Sequence, residues 1–94
     1  MPGVYVKTLK QEEGKFAIHL LWVEAGFSEE PETHDLHEYV YVLKGKAESY
    51  IAHERKLIGP GYCFEIPANT EHSVRMMEDV ELICMLAPPR PELL

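Results

Sequence analysis

Four side chains in this sequence have the types and the spacing to hold a divalent cation: Glu32, His34, Glu38 and His72. Imidazole nitrogen and carboxylate oxygen together make a ligand set for divalent iron, manganese, nickel or zinc. Glu32 and His34 are two positions apart, so an extended backbone turns both to one side. Glu38 opens the alternating run "EYVYVL", and His72 opens "HSVRM". Alternation groups Glu38 with Val40 and Val42, and His72 with Val74 and Met76. Each polar residue therefore leads an otherwise apolar row. A charged or polar group at the mouth of an apolar interior needs a partner. A metal ion is one such partner, and a mutual hydrogen bond is the other.

The remaining candidates read differently. His37 precedes Glu38, so on a strand it faces the opposite way. It replaces Glu32 in the set only if the loop Asp35-Leu36-His37 curls inward. Glu32 itself lies in the acidic loop "SEEPE", where a carboxylate has two readings, ligand or solvated charge. His53, in the turn "AHERK", is expected to face solvent, and Glu71 to point away from His72. His19 sits in an apolar run and is expected to be a hydrogen-bonded core histidine. Cys63 and Cys84 both fall in expected strands and are read as packing residues with free thiols.

The elements that must position these groups are strands. Period two dominates: "KFAIHLLWVE" (15–24), "EYVYVLKG" (38–45), "KAESYIA" (46–52), "YCFEIP" (62–67), "HSVRMM" (72–77) and "VELICML" (80–86). "VYVKTL" near the start is expected to add an edge strand. The Lys44-Gly45 turn predicts that 46–52 folds back on 38–45 as a hairpin partner, and Glu78-Asp79 is a short turn. No stretch of ten or more residues keeps a helical period. Short strands at regular spacing with Gly, Pro, Asn and Asp between them predict an all-β sandwich or barrel. The tail "APPRPELL" (87–94) carries three prolines and is not expected to continue a strand.

The 94 residues are enough for one small domain, 1–94, whose thin stability margin dimerisation or a bound metal would widen. The formal net charge is -7, from 16 acidic and 9 basic residues, with no basic patch. Nucleic acid and anionic membrane are thereby poor partners. The first fifteen residues contain no apolar segment of the secretory kind, and no run approaches the ~18 apolar residues of a membrane span. A cytoplasmic location with two reduced cysteines is the expectation. Tyr39 and Tyr41 lie opposite Glu38, and Ile83 and Met85 opposite Leu82 and Cys84, which leaves much apolar surface outside a small barrel. A second sandwich layer or a homodimer interface would cover it, and the homodimer is the reading preferred here.

Two spacings resemble the paired motifs of the cupin superfamily, in its small single-domain, conserved-barrel form. The family's first motif reads G-x5-H-x-H-x3-4-E-x6-G. Here Gly26 is followed by five residues, then Glu32, Thr33 and His34, then Glu38 and, six residues on, Gly45. The second motif reads G-x5-P-x-G-x2-H-x3-N. Here Gly61 leads to Pro67, Asn69, His72 and Met76. The motifs cover about 26–45 and 61–72, roughly half the chain. The resemblance implies a cupin-like jelly-roll β-barrel (a double-stranded β-helix) with a divalent metal inside its open end. It carries His34, Glu38 and His72 over as ligands and Glu32 by position, where the family usually has histidine. Asn69 stands at a usual glycine and Met76 at a usual asparagine. A set of two histidines and two carboxylates is hard in ligand terms and favours iron or manganese over copper.

Fold does not fix function. The resemblance implies either a metal-dependent enzyme on a small organic molecule, of dioxygenase, isomerase or lyase type, or a non-catalytic module that binds a small ligand. A metal-free cupin is the third reading. The lumen is expected to be lined from Val40, Val42, Phe64 or Cys63, Val74, Met76 and Leu82 or Cys84, with few cations facing inward.

Overall fold

A computed structural model describes residues 2–89 and contains eight strands and no helix among them. They are β1 (Val4–Glu12), β2 (Phe16–Val23), β3 (His37–Lys44), β4 (Ala47–Ile51), β5 (Glu54–Ile58), β6 (Cys63–Ile66), β7 (His72–Met76) and β8 (Val80–Ala87). One sheet has the order β1-β2-β8-β3-β6 and the other β5-β4-β7, with all pairings antiparallel. The two sheets close around one apolar cluster as a jelly-roll β-barrel.

Alternation sets the core. Val80, Leu82, Cys84 and Leu86 of β8 are buried while the residues between them are partly open. Val40 and Val42 of β3 are buried, and Tyr39, Tyr41 and Leu43 face out. Ala17, His19 and Val23 of β2 join the inner row. The edge strand expected near the start is β1, paired with β2 and extended to Glu12.

The expected hairpin between 38–45 and 46–52 does not form. β3 and β4 belong to different sheets, and β4 lies between β5 and β7. The physical reason is at Gly45, whose φ is 86° and whose absent β-carbon leaves room for the Asp79 carbonyl. The chain turns a corner from one sheet to the other instead of doubling back. β4 pairs instead with β7 and with β5, whose first residues fall in the expected turn "AHERK"; "ERKLI" is mostly charged and exposed, which hides its period. Cys63 is exposed rather than packed, so Phe64 is the residue of that pair that turns inward. β8 runs through Ala87, the first residue of the expected tail, and 90–94 lie outside the described residues.

The residue before the barrel's mouth also has a place in the small sheet. Residues 26–32 run beside β7: the Glu29 N–H donates to Val74 O at 2.9 Å, and Glu32 and His72 exchange both backbone hydrogen bonds at 3.0 Å. On the outer side of β4, Glu48 is buried beneath Arg55 and Arg75, which both donate to its carboxylate.

Candidate metal centre

The backbone exchange between Glu32 and His72 decides the site. It sets the acidic loop directly against the first residue of β7, and their side chains meet, Glu32 Oε1 to His72 Nε2 at 3.7 Å. His34 is held two residues further on because its carbonyl accepts the Asn69 N–H at 2.6 Å. Asn69 has a φ of 62°, a left-handed conformation that asparagine adopts more readily than most residues. Leu36 is buried in the core and anchors the loop that carries His34 into β3. Glu38 then turns inward, with Oε1 3.6 Å from His34 Nε2.

Both imidazoles are oriented the same way. His34 Nδ1 lies 3.3 Å from Leu36 O, and His72 Nδ1 lies 2.9 Å from Thr70 O. A carbonyl oxygen only accepts, so Nδ1 is the protonated nitrogen and Nε2 carries the lone pair. The rings meet edge to face with centroids 4.6 Å apart. Ligand atoms of Glu32, His34 and His72 all lie within 4.8 Å of one another. His34 Nε2 is buried without a hydrogen-bond partner among the described residues. A buried lone pair with nothing to accept from is costly, and the Glu38 contact is too long to relieve it. Converging nitrogen and oxygen lone pairs around such an atom fit a divalent cation.

His37 lies outside the cluster. Burial of Leu36 turns His37 to the outer face, where it lies 3.5 Å from Glu65 Oε2. His53 is exposed beside Glu71, and Glu71 points away from His72. His19 is fully buried. Its Nδ1 pairs with Thr8 Oγ1 at 3.0 Å, but Nε2 has no hydrogen-bond partner among the described residues, so the expected satisfaction is half achieved. Burial lowers its pKa.

Behind the cluster lies a cavity of about 440 Å³. Val40, Phe64, Val74, Met76, Leu82 and Cys84 line it as expected from alternation, whereas Val42 is buried away from it. The sequence reading missed Ser49 and Ile51, whose inward period in β4 was available to find them. It also missed Glu29 and Glu30, which no local pattern marks as lining residues.

The family model for the cupin domain matches residues 19–87. No curated protein matches the chain. Among solved structures, KdgF from Halomonas sp. is similar at 24% identity and a TM-score of 0.91, over 100% of this chain and 86% of that one. An RmlC-like cupin from Shewanella frigidimarina is similar at 18% identity and a TM-score of 0.92, over 100% and 84%. Salicylate 1,2-dioxygenase from Pseudoaminobacter salicylatoxidans, solved as adducts with gentisate, is similar at 14% identity and a TM-score of 0.85. That match spans 95% of this chain and 26% of the dioxygenase. Likeness at these identities speaks for the fold.

Proposed function

The chain belongs to the cupin domain family, and from that premise we propose that it binds one divalent metal ion and acts on a small organic molecule. The observation that carries this reading is the buried His34 Nε2, without a hydrogen-bond partner among the described residues and facing the cluster that Glu32 and His72 complete. His34, His72, Glu38 and Glu32 are the proposed ligands, and iron, manganese, nickel or zinc suits the set. When bound, such an ion supplies Lewis-acid polarisation of a substrate oxygen or, as iron, redox chemistry.

The chain's own residues supply the rest. The carbonyls of Leu36 and Thr70 fix each imidazole tautomer, so both Nε2 lone pairs stay available. The apolar wall excludes water and holds an apolar substrate body against the polar end. Dioxygenase, isomerase and lyase chemistry all fit these parts. A non-catalytic binding module is the second reading, and it is favoured by the apolar character of the wall beyond the site.

The chain is further proposed to act as a homodimer. Trp22, Tyr39, Tyr41 and Leu43 are all exposed on the outer face of the five-stranded sheet, an apolar patch that a second copy would cover.

The test of the site is elemental analysis of untagged protein beside the His72→Ala variant. A near-stoichiometric transition metal in the parent, lost in the variant with a lower melting temperature, is the expected result. Equal metal content in both would remove His72 from the ligand set.

A further inference from the structure

The depth of the cavity bears on the length of ligand it takes, and this inference rests on the metal reading above, which fixes where one end of that ligand sits. The strand registers sort the inward-facing residues into rows. The first row holds Glu38, Leu86 and Ile66 on the large sheet, with His72 and Ile51 on the small one. In the second, Val40, Cys84 and Phe64 face Ser49 and Val74. In the third, Leu82 and Leu21 face Met76 and Ile58. Phe27 lies beside Met76, whose N–H donates to its carbonyl at 2.8 Å. Val42, Ala47 and Val80 are packed into the core around this third row without lining the cavity, so that end is closed. Polar groups thin out along the same axis. The candidate metal ligands stand at the first row. In the second, the Ser49 hydroxyl donates to Lys56 O. Ser28, Glu29 and Glu30 border the flank made by residues 26–32, where the Glu29 N–H donates to Val74 O, level with the second row. The third row has no polar side chain on either sheet. From first to third row is four residues of β8, a rise of about 13 Å. A hydroxyl carried to the third row loses its water and finds no partner there, whereas each methylene carried there gains by burial.

We propose that the cavity gauges length: it selects molecules with one oxygen-bearing end, held at the His72 row, and a slender apolar body that ends against Leu21, Phe27 and Met76. Medium-chain aliphatic alcohols, aldehydes and acids are the class described. What is selected is the body, whatever the charge of the oxygen end. Polyhydroxylated molecules such as sugars are excluded by the hydroxyls they would carry to the third row. Leu21 sets the length, because it is a partly buried side chain at the closed end and lies two rows from the metal ligands.

The test is calorimetric titration with the straight-chain 1-alkanols from butanol to dodecanol, and with cyclohexanol beside myo-inositol, which differ only in hydroxyl count on one ring. Metal content is measured on the same samples. The expected result is an affinity that rises roughly fourfold per methylene and then stops rising at one chain length within the series. Cyclohexanol should bind at least tenfold more tightly than myo-inositol. The break should move to a chain at least one methylene shorter in Leu21→Phe, which fills the closed end, and at least one longer in Leu21→Ala, which deepens it. Either variant decides the point by itself once circular dichroism shows it folded. A rise without a break, a break at the parental length in a folded variant, inositol within tenfold of cyclohexanol, or no binding of any alkanol would overturn the proposal. Metal present with no break sinks the length selection alone. Metal absent with the break present and movable at Leu21 sinks the metal reading and leaves the length selection standing.

Discussion

Two of the four candidate ligands hold their tautomer through the backbone rather than through other side chains. His34 and His72 each donate Nδ1–H to a carbonyl two residues away, Leu36 and Thr70. Such short-range contacts make each ring's orientation a property of its own loop. That explains why sequence spacing found both residues. His37, one residue before Glu38, faces away from the cluster because alternation and the buried Leu36 turn it toward Glu65. His37→Ala should therefore leave metal content within error of the parent by elemental analysis, and loss of metal would return His37 to the set. Glu32 was the ambiguous residue because nothing local distinguishes it from the other carboxylates of its loop. Only its bridge to His72, forty positions away in sequence, resolves where it points.

Strand existence was legible because period two is strong wherever one face is buried, as in β3, β7 and β8. Strand pairing was not. The Lys44-Gly45 turn looks like a hairpin in sequence, yet Gly45 lies against the Asp79 carbonyl, where β7 leaves for β8. Gly45→Ala should lose more than the ~1–2 kcal/mol of a left-handed residue, because it adds a collision to that strain. Gly14→Ala, also at positive φ but with open space around it, should lose only the conformational part. Urea denaturation of the two variants checks this, and equal losses would mean the corner is not tight.

Strands β4, β5 and β7 are joined on their outer side through Glu48. Hydrogen bonds from Arg75 and then Arg55 hold its carboxyl below the usual 4.5. A depressed carboxyl pKa stabilises the fold above the unfolded value, and the contribution is lost as pH falls through the folded one. Urea midpoints should thus drop below pH 4.5 in the parent, and drop less steeply in Glu48→Gln, which should already be less stable at pH 7. Parallel pH profiles would show that Glu48 plays no part.

For the whole molecule, the outer face of the large sheet remains apolar, with Trp22, Tyr39 and Tyr41 exposed. Tyr41→Glu should shift the mass by light scattering from dimer to monomer at micromolar concentration while leaving the fold intact by circular dichroism. A parent that is already monomeric at that concentration would remove the dimer. The sequence alone determined the all-β class, the inner and outer faces of its strands, and His34, Glu38 and His72 as inward-facing candidates. The class and the faces of β3, β7 and β8, with Glu38 and His72, follow from a two-residue period that burial imposes locally, whereas His34 came from its spacing and from the motif resemblance. Tertiary structure alone decided that β3 and β4 part, that residues 26–32 lie along β7, and that Glu29 and Glu30 reach the cavity. These outcomes depend on which distant backbones exchange hydrogen bonds, and a strand's own pattern leaves its partner open because any inward-facing row of similar width can satisfy it.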